Sequence, residues 1–121
     1  MLTLKTKLFH KWAKKFKLPD ETLRKAVDEV ADGRYDAYLG GSIYKKRVAI
    51  GSRGKSAGTR AIVALKKGDK AFLIYGYAKN VQANIKDNEK RALIKYAKDL
   101  FAMDAKEIAK MINDGGLIEV K

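Results

Sequence analysis

Leu4, Leu8, Trp12 and Phe16 recur every four residues with Phe9 beside them, while Lys5, Lys7, Lys11, Lys14 and Lys15 fall mostly off that stripe. This is the pattern of an amphipathic helix with a basic outer face, and Pro19 marks its expected end. Asp20 and Glu21 then supply the acidic first turn of a second helix, whose Leu23, Ala26, Val27 and Val30 keep helical spacing until Gly33 offers a C-cap. Beyond Tyr35 the period changes to two. Residues 43–50, 59–65 and 71–78 are rich in β-branched and aromatic side chains and are separated by glycine-bearing turns, which predicts three antiparallel strands. Residues 35–39 can add a first strand at the sheet edge. The two segments 59–65 and 71–78 are almost wholly apolar and therefore belong at the centre of the sheet. From Asp87 the helical period returns through Leu93, Tyr96, Ala97, Leu100 and Phe101. Asp104 with Glu107 forms a capping-box pattern for a last helix closed by Gly115 and Gly116, and Leu117–Val120 suits an edge strand or core packing.

These elements predict an α+β domain over residues 1–121. Its small antiparallel sheet has three to five strands, two N-terminal helices are packed on one face, and helices follow at the C-terminal end. The other sheet face is then free for work. At 121 residues one core is the expectation, and 46% hydrophobic with 34% charged residues excludes a disordered chain. No apolar run reaches the roughly 20 residues of a spanning helix, and the N-terminus lacks the uninterrupted apolar region of a signal peptide. A soluble, cytoplasmic protein with no membrane partner is expected. The absence of cysteine removes disulfides, thiolate metal sites and thiol nucleophiles.

Net charge changes the picture most. At +13 it calls for a polyanionic partner, and the charge is concentrated: residues 1–19 hold six lysines and no acid, residues 37–68 eight lysines or arginines and no acid. Within the second stretch lies Gly-Ser-Arg-Gly-Lys-Ser-Ala-Gly-Thr-Arg (51–60), whose Gly-Lys-Ser core suggests a nucleotide-binding P-loop. Such a loop needs glycine where the chain has Ala49, and a helix where Thr59 begins a strand pattern. Nucleotide hydrolysis is set aside on those two grounds. The glycines instead let backbone amides, Arg53 and Lys55 approach a phosphate closely. Arg60 differs from the loop cations because it lies inside a strand on the face of Ile62 and Ala64, where a guanidinium can fork onto a phosphate; a solvated strand-start cation is the equally weighted alternative.

Tyr75, Tyr77 and Lys79 share one side of an extended segment, so a ring platform leads into a cation, a pattern that suits RNA; core packing of both tyrosines is the competing reading. Lys45, Lys46 and Arg47 form a cationic run in which alternation sends Lys46 to one face and its neighbours to the other; most such runs are solvated edge protection, and RNA contact is the functional alternative. His10 is the only histidine, which excludes a histidine pair in acid–base chemistry, and Asp28 and Asp32 lack a histidine to complete a metal site. No metal and no cofactor are expected. Lysine and arginine remain as the chemical groups.

Residues 39–49 (Leu-Gly-Gly-Ser-Ile-Tyr-Lys-Lys-Arg-Val-Ala), Gly54–Leu65 and Phe72–Asn80 with its Tyr-Gly-Tyr-Ala-Lys-Asn end, followed by a helix and a terminal Leu-Ile-Glu-Val, resemble the RelE/ParE superfamily of type II toxins, and most of all its RelE/HigB-like branch. The likeness runs from Thr6 to Val120, and its specific part is the paired Gly-Lys-Ser-x-Gly-x-Arg and Tyr-Gly-Tyr-Ala-Lys-Asn. It implies two N-terminal helices on a small antiparallel sheet and a metal-independent, ribosome-dependent endoribonuclease in which the 2′-hydroxyl of mRNA attacks the adjacent phosphate. Carried over by position, Arg53 and Lys55 match the family's basic loop residues, Arg60 its strand arginine and Lys79 its post-strand cation, which makes these four the catalytic candidates, with Tyr77 the candidate for base stacking; Lys45, Lys46 and Arg47 are RNA-binding candidates by their charge. Lys55 or Lys79 is then the general base or acid and Arg60 the transition-state clamp. Many relatives place a histidine or a C-terminal tyrosine in the cleft, and this chain has neither in an obvious position. The resemblance also implies a cognate antitoxin, often a helix-turn-helix DNA-binding protein, beside ribosome and mRNA as partners. A ParE-like inhibitor of DNA gyrase and a non-enzymatic RNA- or DNA-binding module are the rival readings.

Overall fold

The computed structural model describes residues 1–49 and 58–121. Among the described residues ten elements follow one another: β1 (Leu2–Thr6), α1 (Lys7–Lys15), α2 (Asp20–Ala31), β2 (Ala37–Gly40), β3 (Ile43–Val48), β4 (Thr59–Lys66), β5 (Lys70–Ala78), α3 (Asp87–Phe101), α4 (Ala105–Asn113) and β6 (Leu117–Glu119). The strands form one six-stranded sheet in the order β2-β3-β4-β5-β1-β6. All neighbours are antiparallel except β1 and β5, which run parallel. The α+β class and the central position of β4 and β5 agree with the sequence pattern, whereas six strands exceed the expected three to five.

The added strand at the N-terminus has a local cause. Leu4 shares the four-residue stripe of Leu8 and Trp12, yet Thr3, Lys5 and Thr6 around it are buried as well, so burial runs without a break along the segment instead of following one helical stripe. Thr6 is the N-cap of α1, its hydroxyl accepting from the Phe9 amide at 3.1 Å, so the helix starts only at Lys7. Burial of Lys5 in β1 is tolerated because its ammonium donates to Asp20 Oδ1 at 2.8 Å. The second oxygen of Asp20 accepts from the Lys121 amide at 2.9 Å, tying β1, α2 and the C-terminal strand together. Burial alone pushes the Asp20 carboxyl up, but the Lys5 and Lys121 hydrogen bonds and the positive field of Lys5 and His10 bring it below its ordinary value.

Helices cover both faces of the sheet, which corrects the expectation of one bare face. On one side Phe9 and Ala13 of α1 and Leu23, Ala26, Val27 and Val30 of α2 pack on Val48, Ala61, Val63, Leu65, Ala71 and Leu73. On the other, Ala97 and Leu100 of α3 and Ile108 of α4 close over Leu4, Ile43, Ile62, Ala64, Phe72 and Leu117. The capping box forms as its sequence predicts, Asp104 Oδ1 accepting from the Glu107 amide and Glu107 Oε1 from the Asp104 amide.

The pairing of β4 with β5 contains one bulge. Ile62 stands opposite Tyr75 and Val63 opposite Leu73, so Ile74 is the extra residue. Because side chains alternate, one extra residue moves everything after it to the opposite face. Tyr77 thereby lands beside Arg60, and Gly76 turns toward α1. A Cβ on Gly76 would lie 2.2 Å from Trp12 Cε3, inside the indole. Gly76→Ala is therefore expected to displace Trp12 and cost about 1–3 kcal/mol. Chemical denaturation followed by Trp12 fluorescence measures it, and an unchanged midpoint would show that the indole can move aside freely.

Candidate phosphate-binding site

The register of the three central strands sets Arg47 opposite Arg60 and Arg60 opposite Tyr77, one row of side chains on the α3/α4 side of the sheet. The next row, Val48, Thr59 and Ala78, ends the pairing. Thr59 is wholly buried and its hydroxyl donates to the Val48 carbonyl, while the Lys79 amide donates to the Gly58 carbonyl at 2.6 Å. These bonds tie the ends of β3 and β5 to the start of β4. The exposed Lys79 therefore stands at the same end of the sheet as Arg47 and Arg60.

Arg60 is held by two partners. Its side chain is only 10% exposed, and Nη1 donates to its neighbour's carbonyl, Thr59 O, at 3.3 Å. Its Nε lies 3.7 Å from Asp36 Oδ2, and the same oxygen is 3.6 Å from Nε of the half-exposed Arg47. Asp36 is itself fixed just before β2 by its amide, which donates to the Lys45 carbonyl at 2.8 Å. One carboxylate thus stands between two guanidiniums. Tyr77 completes the row but is 4% exposed and packed within the α3/α4 core, 6.1 Å from the Tyr75 ring between centroids. Burial pushes its phenol up, Arg60 pulls it down, and Asp36, Tyr75 and Glu89 add to the rise, leaving it above its ordinary value. At neutral pH Tyr77 is a protonated hydroxyl on a packed ring.

The sequence candidates therefore separate. Arg47, Arg60 and Tyr77 come together, and Lys45, opposite Ile62, shares their face one row further in. Lys79 lies at the mouth. Arg53 and Lys55 lie outside the described residues. Lys46 points the other way, opposite Ala61: it is 4% exposed, its ammonium 2.8 Å from the Arg34 carbonyl and 3.1 Å from Glu29 Oε1, with α2 overhead. That bonding gives Lys46 a structural task and turns its ammonium away from the row of Arg47 and Arg60. Burial likewise removes Tyr77 as an open stacking platform; among the described tyrosines, those counted exposed are Tyr35, Tyr38 and Tyr96.

Asp36 is the site residue that sequence reading passed over. Its one signal is position: it is the last acid before the acid-free stretch 37–68, where an isolated carboxylate has only cations to meet. The chemistry this row offers is anion binding by fixed, partly desolvated guanidiniums, which can stabilise charge on a phosphate more strongly than solvated lysines do. Among the described residues no cluster of histidine, aspartate or glutamate has the geometry of a metal site, and no helix is long and apolar enough to cross a membrane.

The model of the family described as "RelE toxin of RelE / RelB toxin-antitoxin system" matches residues 1–120. No curated protein matches the chain at a significant level.

Proposed function

The chain belongs to the RelE toxin family and is a toxin of the toxin–antitoxin type with a cognate antitoxin, and from that premise we propose that it is a ribosome-dependent endoribonuclease that cuts mRNA and stops translation. The observation that carries this reading is the Arg60 guanidinium, held on a central strand with Arg47 beside it and Lys79 at the same sheet end. Backbone phosphate of mRNA enters at this end. The 2′-oxygen attacks phosphorus, the bond from phosphorus to the 5′-oxygen breaks, and a 2′,3′-cyclic phosphate and a 5′-hydroxyl remain. Arg60 stabilises the negative charge that gathers on the phosphoryl oxygens. Lys55 and Lys79 serve the two proton transfers, from the 2′-hydroxyl and to the departing 5′-oxygen. Arg53 and Lys45 extend the cationic track along the strand of RNA. The ribosome supplies the alignment of the mRNA that so small a sheet end does not provide. The antitoxin is a helix-turn-helix DNA-binding protein whose acidic or amphipathic segment meets the basic surface.

Inducing the protein in cells and mapping mRNA 5′ ends tests the reading. Cuts at codon-related positions in translated messages support it. Intact mRNA with altered DNA supercoiling would replace it by gyrase inhibition, and intact mRNA and DNA with salt-sensitive RNA binding would leave a binding module.

A further inference from the structure

A carboxylate inside a phosphate site needs a reason, because it cancels part of the charge the site exists to present. Asp36 Oδ2 lies 3.6 Å from Arg47 Nε and 3.7 Å from Arg60 Nε. Both distances are longer than the roughly 2.8 Å of a made charge-assisted hydrogen bond. The carboxylate is near enough to attract both guanidiniums and too far to saturate either. Without it, two arginines directly opposite each other on neighbouring strands would repel and splay.

We propose that Asp36 is an internal stand-in for the RNA phosphate: it holds Arg47 and Arg60 side by side in the free protein, and the phosphate of the bound strand takes over that bridging position. This rests on the ribonuclease reading only for its effect on cleavage; the exchange of one anion for another is a property of binding alone. Asp36 is thus a positioning residue that acts through the two arginines. It trades affinity for order: its charge opposes the incoming phosphate, while its bridge keeps Arg60 aligned for the step at phosphorus. Its anchoring to the Lys45 carbonyl lets the main chain stay in place while the carboxylate gives way.

Asp36→Asn keeps the shape and removes the charge. The full-length variant is expected to bind an oligoribonucleotide blocked by a 2′-deoxy substitution roughly fivefold more tightly at low salt, with a steeper salt dependence. Its kcat on ribosome-bound mRNA is expected to fall about tenfold. A merely structural role would weaken both, so tighter binding with slower turnover is the diagnostic split, and Asp36→Glu should recover part of the turnover. Equal or weaker RNA binding by a folded Asp36→Asn protein overturns the proposal. If that variant does not fold, the wild-type protein decides: arginine Nε resonances of Arg47 and Arg60 should shift together when the blocked oligoribonucleotide is added, and movement of one or neither overturns the proposal. Should wild-type protein cut no mRNA, the ribonuclease reading fails while these binding measurements still decide the role of Asp36.

Discussion

Arg60→Ala is expected to slow mRNA cleavage about 10²- to 10³-fold, the cost of removing one preorganised donor from a charge-developing transition state. The reason is geometric. Of the cations the structure describes at this sheet end, Arg60 is the one built into the central strand, 8% exposed, with partners on both its Nε and Nη1 nitrogens. A side chain fixed in this way spends little entropy when it meets phosphate, whereas an exposed lysine such as Lys79 must be ordered first. The fold should survive the change, because Asp36 keeps Arg47 as its counter-ion and is itself partly exposed. Single-turnover cleavage of ribosome-bound mRNA, measured beside thermal unfolding, separates the two effects. Arg60→Lys keeps the charge but loses the fork, so it should recover only part of the rate. Full activity in a folded Arg60→Ala protein would remove Arg60 from the chemistry.

The second large effect lies on the opposite face. Lys46→Ala is expected to destabilise the domain by about 3 kcal/mol, near the lower end for breaking a buried ion pair by deleting one partner. Lys46 leaves behind Glu29, whose side chain is 12% exposed, and the Arg34 carbonyl. The loss is moderated because Arg34 Nη1 still stands 3.6 Å from Glu29 Oε2. Urea unfolding measures the cost, and a double change with Glu29→Gln should cost less than the sum of the two single changes. If Lys46→Ala instead unfolds like wild type and loses RNA affinity, Lys46 is an RNA contact and its buried bonding carries no stability.

Much of the domain is legible in the chain because periodicity reports burial. The almost wholly apolar segments of β4 and β5 point to central strands, and the Asp104–Glu107 box states its own helix start. β1 is not legible in the same way. Leu4 satisfies a helical spacing and a strand spacing equally, and what decides between them is a parallel partner, β5, that lies some seventy residues away and leaves no local mark. The second helical layer is similar: α3 and α4 have apolar faces, but which sheet face they cover depends on topology.

For the site, alternation predicted that Lys46 parts from Lys45 and Arg47, and the strand position of Arg60 predicted that it is fixed. For Tyr77 the alternation of Tyr75, Tyr77 and Lys79 leaves a ring platform and core packing both open; the register puts it beside Arg60, and its burial decides for the core. Its burial comes from the bulge at Ile74 and the core that α3 and α4 help to close, neither of which a period-two pattern contains. Asp36 escapes for a related reason. It lies one residue before a short edge strand, and its meeting with two arginines requires β2, β3 and β4 to be already aligned.

The decisive experiment incubates purified protein with one defined mRNA, free or placed on ribosomes with a codon in the decoding site. Cleavage is expected only of the ribosome-bound message, leaving a 2′,3′-cyclic phosphate and a 5′-hydroxyl. Intact ribosome-bound message, or cleavage that leaves a 5′-phosphate, would contradict the ribonuclease reading.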